Sequence, residues 1–195
     1  MRTARIERKT RETEILVQLN LDGNGRSVVD TGIGFMDHML DLMTAHGLME
    51  LDLKARGDRE VDDHHTVEDL GICLGQAFNE ALGNRKGIKR FGEANIPMDE
   101  ALGRVVLDLS NRPFLAYRVE FLRSVSGTFD MGLLKEFFRA LTIHGGMTLH
   151  IDQLAGEEPH HISEAIFKGF GRAIDQAATV EERLAGALPS TKGVL

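Results

Sequence analysis

The chain is predicted to be an α+β protein made of two duplicated half-domains, with sheets packed against a layer of helices around a pseudo-two-fold axis. The first observation behind this is an internal repeat. DHHTVEDLGICLGQAF (63–78) matches PHHISEAIFKGFGRAI (159–174), which sets His64, His65 and Glu68 on His160, His161 and Glu164 at a shift of 96. Upstream, FMDHMLDLMTAHGLMELDL (35–53) matches LLKEFFRALTIHGGMTLHI (133–151) at a shift of 98, placing His46 on His144, Gly47 on Gly145 and His38 on Glu136. One change in loop length accounts for the difference between the shifts. The second observation is that each half reads strands, helix, strand, helix, a pattern of sheet and helix layers. The third is that no Pro- or Ser-rich linker separates the halves. One domain over 1–195 is therefore expected, with half-domains at about 1–86 and 87–182 and a C-terminal loop at 183–195.

The elements follow in order. In ILVQLNLDGNGRSVVDTG (15–32), Ile15, Val17, Leu19 and Leu21 share one face and Asp22-Gly23-Asn24-Gly25 is turn chemistry, which predicts a hairpin. Phe35 to Ala45 has helical spacing and stops at His46-Gly47. MELDLKARGD is a short strand. Thr66 to Leu82 is a helix with an apolar stripe of Val67, Leu70, Leu74, Ala77 and Phe78, closed by Gly83. In the second half RVVLDLSNRPFLAYRVEFL reads strand–turn–strand, Met131 to Ile143 a helix, MTLHIDQLAG a strand and Ile162 to Ala177 a helix.

Composition narrows the function. Of the 195 residues, 42% are apolar and 27% charged, ordinary for a globular protein with a real core. A net charge of −7 disfavours a nucleic-acid binder, which needs a basic footprint, but leaves room for a local basic pocket. The single cysteine, Cys73, excludes an internal disulfide framework and a thiolate cluster. MRTARIERKT lacks the apolar core of a secretory signal, and no apolar run approaches membrane-spanning length. The expectation is a cytoplasmic protein with no membrane partner.

The twin HHxxE motifs carry the chemistry. On a helix, His64 and Glu68 are i and i+4 and share a face, so they can grip one ion. His65 is rotated by about 100° and must serve another centre. The same holds for His160 with Glu164, and for His161. If the two helices meet across the pseudo-two-fold, one site takes His64, Glu68 and His161 and the other His160, Glu164 and His65. The repeat-related pair His38 and Glu136 can add a ligand to each. A single HHxxE is commonly just a polar helix start; two copies in register argue for ligands. Nitrogen and oxygen donors without thiolate favour Mn²⁺ or Fe²⁺ over Zn²⁺ if the sites are octahedral. On these motifs alone a di-metal hydrolase and a metal-stapled assembly protein are the competing readings. His46 and His144 read simply as helix-end histidines, and His150 as a strand residue.

Together, TGIGFMDHMLDLMTAHG, DDHHTVEDLGICLGQA, FFRALTIHGGMTLHI and PHHISEAIFKGFGRA resemble the imidazoleglycerol-phosphate dehydratases, over nearly the whole chain and in the monofunctional form. The resemblance implies half-domains of the ribosomal-protein-S5-domain-2-like type and a homo-oligomeric 24-subunit shell with active sites between subunits. It implies two Mn²⁺ per site, one held by His38, His65, His160 and Glu164, the other by His64, Glu68, Glu136 and His161. Many relatives carry histidine where this chain has Glu136. The implied reaction removes water from imidazole glycerol phosphate to give imidazole acetol phosphate, in histidine biosynthesis, through a metal-bound imidazolate and a diazafulvene-like intermediate.

The same resemblance assigns Glu12 as the candidate base and His46 and Lys168 as substrate-contacting residues. It assigns Arg90, Arg112, Ser190, Thr191 and Lys192 to the substrate's phosphate, with the tail LPSTKGVL expected to order over bound substrate. On sequence alone Glu12 reads as an exposed strand-edge charge, Lys168 as a solvated helix lysine and the tail as disordered.

Overall fold

The structure is a computed structural model that describes residues 1–193. The first half runs β1 (Thr3–Lys9), β2 (Thr13–Asn20), β3 (Ser27–Asp30), α1 (Gly34–His46), β4 (Glu50–Gly57) and α2 (His64–Leu82). The second runs β5 (Phe91–Met98), β6 (Ala101–Asp108), β7 (Phe114–Arg118), the short pair β8 (Val125–Ser126) and β9 (Phe129–Asp130), then α3 (Leu133–Gly145), β10 (Thr148–Ala155) and α4 (Pro159–Ala178). A 3-10 turn, Glu182–Leu184, leads into the tail. No helix of the described residues is long and apolar enough to cross a membrane.

Two four-stranded sheets form, ordered β1-β2-β4-β3 and β5-β6-β10-β7. Both therefore follow the same plan: two antiparallel strands, then the strand after the first helix, then a parallel edge strand. Alternation sets their buried faces, with Thr13, Ile15, Val17 and Leu19 inward on β2 and Ala101, Gly103, Val105 and Leu107 inward on β6.

The sheet order corrects the expected hairpins. β2 and β3 do not pair, because β4 lies between them. β6 and β7 are likewise separated by β10. The true hairpins are β1–β2 and β5–β6, with Glu14 opposite Lys9 and Ala101 opposite Met98. TARIERK and FGEANIPM thus supply strands that the sequence reading left out. The turn residues Asp22 to Gly25 are real turn chemistry, but they lead to a strand that runs parallel to its neighbour. The HHxxE helices also begin earlier than expected, at His64 and Pro159, so each motif occupies a first turn.

The helices pair across the halves, α2 with α3 and α1 with α4. Small residues set both crossings. A Cβ on Gly75 would lie 2.6 Å from the Leu141 carbonyl oxygen and 2.9 Å from the Gly145 nitrogen; one on Gly171 would lie 2.3 Å from the Met43 carbonyl oxygen and 2.9 Å from the Gly47 nitrogen. Each contact in one crossing is thus the repeat equivalent of a contact in the other. Between the pairs, Phe78, Phe137, Phe138, Phe167 and Phe170 pack ring to ring with centroids 5.0–6.0 Å apart and are wholly buried.

Candidate functional site

The α1–α4 crossing brings three sequence-predicted ligands together. His38 Nε2 and His160 Nε2 each lie 3.2 Å from Glu164 Oε1, and the donor atoms of all three lie within 4.8 Å of one another. The i, i+4 spacing puts His160 and Glu164 on one face of α4, and α1 delivers His38 against it. Phe35, one turn earlier on α1, meets the His160 ring edge-on at 5.5 Å. Glu164 is buried. Burial alone would raise its pKa, but the Lys168 ammonium, 2.6 Å from Oε2, and His38 hold it below the ordinary value. An ionised carboxylate and two imidazole nitrogens converging in this way form a donor set that can hold a divalent ion.

The other expected ligands do not join this cluster within one chain. His64 and Glu68 approach to 3.7 Å on α2. Glu136 turns instead to Arg139, 3.4 Å away one turn along α3. His65 Nδ1 sits 3.0 Å from Asp58 and His161 Nδ1 sits 2.7 Å from Glu100, and each contact raises the histidine's pKa. The Glu100 carboxyl is in turn held down at about 2, chiefly by His161. With Nδ1 committed to a carboxylate, each ring is left with Nε2 to offer, that of His161 lying 3.9 Å from Asp99; carboxylate–histidine pairs orient metal ligands in this way. Asp58 and Glu100 were not singled out from sequence; they sit 7 and 61 positions from their partners, with no local signature.

Glu12 is exposed at the β1–β2 turn, and its Oε2 lies 4.0 Å from His65 Nδ1. Asp58 donates its backbone N–H to the Glu12 carbonyl at 3.0 Å. His46 is at the end of α1. Burial lowers its pKa, helped by the Lys168 and Arg172 cations. The negative end of α1 works in the opposite direction and does not prevail. His46 lines a cavity of about 460 Å³ with Glu93, Asn95 and Arg172. Lys168 is not a solvated helix lysine: it is mostly buried, between Glu164 and Met98 Sδ.

The two arginines assigned to phosphate gather around Asp108. Arg90 makes a two-pronged contact to it at 2.6 and 2.9 Å, and Arg112 lies 3.7 Å from it. Arg90 also donates to the Pro189 carbonyl at 2.8 Å, which brings the tail to the cluster. There Ser190, Thr191 and Lys192 form a turn, with the Lys192 N–H on Ser190 Oγ. Val194 and Leu195, the end of the expected tail loop, lie outside the described residues. Asp108 was not anticipated, although its position four residues before Arg112 was visible.

Comparison with known proteins identifies the family. Residues 31–174 match the family model for imidazoleglycerol-phosphate dehydratase. The chain is 56% identical to proteins of that name from Azoarcus sp. (strain BH72) and Thiobacillus denitrificans, in each case over the whole of both chains. Among solved structures, it resembles imidazoleglycerol-phosphate dehydratase from Staphylococcus aureus at 40% identity, with a TM-score of 0.83 over 91% of this chain and 99% of that one. It also resembles the Pyrococcus furiosus protein at 38% identity, with a TM-score of 0.85 over 97% and 100%. The chain belongs to the imidazoleglycerol-phosphate dehydratase family and is a hydro-lyase of histidine biosynthesis.

Proposed function

We propose that the chain dehydrates imidazole glycerol phosphate to imidazole acetol phosphate at a dinuclear manganese site completed by a second copy of itself. The observation that carries this is the His38–His160–Glu164 cluster, together with His65 and His161 held by Asp58 and Glu100. Three ligands converge within one chain while the fourth, His65, stays outside the cluster on Asp58, as a site shared between subunits would require. One ion would take His38, His160, Glu164 and a neighbour's copy of His65. The other would take His64, Glu68, Glu136 and a neighbour's copy of His161. For the latter, Glu136 must leave Arg139. A closed homo-oligomer of 24 subunits satisfies this crosswise sharing. The shared strand plan and the paired Gly75 and Gly171 crossings support two duplicated half-domains in a single domain.

The proton to be removed sits on a carbon without a neighbouring carbonyl, so the substrate's imidazole must accept electrons. Held by these residues, manganese would supply positive charge that makes the substrate's ring a better electron sink, by the charge effect that acidifies metal-bound water. The remaining work falls to this chain's side chains. Glu12 takes the carbon-bound proton. Lys168 keeps Glu164 ionised and fixed. His46, beside Lys168 and Arg172, offers a ring nitrogen to the substrate by hydrogen bond. Arg90 and Arg112, with Ser190, Thr191 and Lys192, hold the phosphate and thereby align the reacting carbons. The hydroxyl and the proton taken by Glu12 leave together as one water, and the resulting enol becomes the ketone as its O–H proton is replaced by one on carbon.

Product analysis tests the reading. Incubation with imidazole glycerol phosphate and Mn²⁺ should yield one ketone per substrate consumed and no inorganic phosphate. Release of phosphate would identify a hydrolase instead.

A further inference from the structure

We infer that Asp69 is a positioning residue for the reaction, holding the hairpin tip that carries Glu12 against the helix that carries His65 and Glu68. The inference rests on Glu12 being the base.

Asp69 follows Glu68 on α2 but points inward, and it is 8% exposed. Each of its oxygens has a partner on the β1–β2 hairpin. Oδ2 accepts from the Thr13 hydroxyl at 2.5 Å, and Oδ1 lies 3.0 Å from Arg8 Nη2. These two residues flank the turn of Thr10, Arg11 and Glu12. The turn is closed on itself, since the N–H groups of Glu12 and Thr13 both donate to Thr10 Oγ1, at 3.0 and 2.9 Å. Its far side is tied to Asp58, which also holds His65. Glu12 therefore sits between two anchors that both lead back to α2: Asp69 through Thr13, and His65 through Asp58.

A buried carboxylate is a poor choice if attachment alone were needed. Desolvating the ion is costly, and apolar side chains of similar size commonly stabilise as well or better. Arg8 Nε is moreover buried without a hydrogen-bond partner among the described residues, so the pair is not arranged for greatest stability. What the directional contacts provide is a fixed location. Hairpin tips are otherwise among the more mobile parts of a fold. A base misplaced by about 1 Å costs on the order of 100-fold in rate. Seating the tip on the turn of α2 that also carries metal ligands keeps base and ligands in one frame.

The test uses the assembled, manganese-loaded protein. Thr13→Val removes only the hydroxyl that reaches Asp69, and Thr13→Ser restores it. Thr13→Val and Asp69→Asn are each expected to lower kcat by about tenfold or more, with KM and bound manganese near the parent values, and Thr13→Ser to recover most of the loss. In a Glu12→Gln background, Thr13→Val should lower kcat no further, because the group it positions is already gone. A merely structural tie would lower the melting temperature and leave kcat well below that temperature unchanged. Parental kcat in Thr13→Val and Asp69→Asn, with Glu12→Gln inactive, would overturn the inference and leave the base assignment standing. An active Glu12→Gln would overturn both.

Discussion

His38 on α1 and His160 on α4 stack with ring centroids 5.4 Å apart and planes 29° apart, and both present Nε2 to the same oxygen of Glu164. Among the described residues, neither ring has another hydrogen-bond or ion-pair partner that would explain the convergence of two imidazoles on one carboxylate. His160→Ala should therefore lose at least one manganese ion per chain and lower kcat/KM by more than about 100-fold, since loss of even an outer ligand partner costs 10–100-fold. Metal analysis of the purified variant beside its kinetics checks this.

Gly171 places α4 on α1, and with it His160 and Glu164 on His38. A methyl at Gly171 would press on the Met43 carbonyl oxygen at 2.3 Å, a backbone atom that cannot rotate away. Gly171→Ala should cost about 1–3 kcal/mol of stability through forced separation of the helices. It should also weaken manganese binding more than Gly83→Ala, where the added Cβ meets nothing within 4 Å although backbone strain at φ 55° remains. Denaturant melts and metal titrations of the two variants separate the effects.

The tail reaches the phosphate cluster through Arg90 and Pro189. Truncation after Leu188 should raise KM for imidazole glycerol phosphate by about tenfold or more, through loss of Ser190 and Lys192 and of the Arg90 anchor. The fold should survive, because residues 189–193 contribute nothing to the buried core. Steady-state kinetics with parental melting behaviour would bear this out.

Asp152 on β10 is buried between Arg104 on β6 and Arg118 on β7. Burial pushes its pKa up, but the two guanidinium groups prevail and hold it below the ordinary value of 3.8. A carboxyl depressed in the fold contributes stability that is complete above the unfolded pKa and is lost as pH falls through the folded one. The contribution should thus be full at pH 7 and fade below about pH 4. Because both arginines are about half exposed, Asp152→Asn is expected to cost about 1 kcal/mol at pH 7. Urea melts of parent and variant from pH 7 to pH 3 should converge at the acid end.

Much of this site was legible in the sequence because the repeat fixes registers. His64, Glu68, His160 and Glu164 fall on helix faces by spacing alone, and the rotation of His65 and His161 off those faces follows from the same periodicity. Pairing that depends on a third strand was not legible. Val28 and Val29 look like the return of a hairpin, yet β4 inserts between them and β2, and nothing local announces it. Short alternating strands such as TARIERK are masked by their charges. Long-range carboxylate partners were also hidden, since Asp58, Glu100 and Asp108 become meaningful only when folding brings a histidine or arginine to them. The contact of Glu136 with Arg139 was available from its i, i+3 spacing.

Manganese titration of chelator-stripped protein, with dehydratase activity read at each point, tests the central claim most directly. The account predicts no turnover without metal, saturation at two ions per chain, and activity that rises with occupancy of the second ion. Full turnover in the stripped protein, or two bound ions with no conversion of imidazole glycerol phosphate, would contradict it.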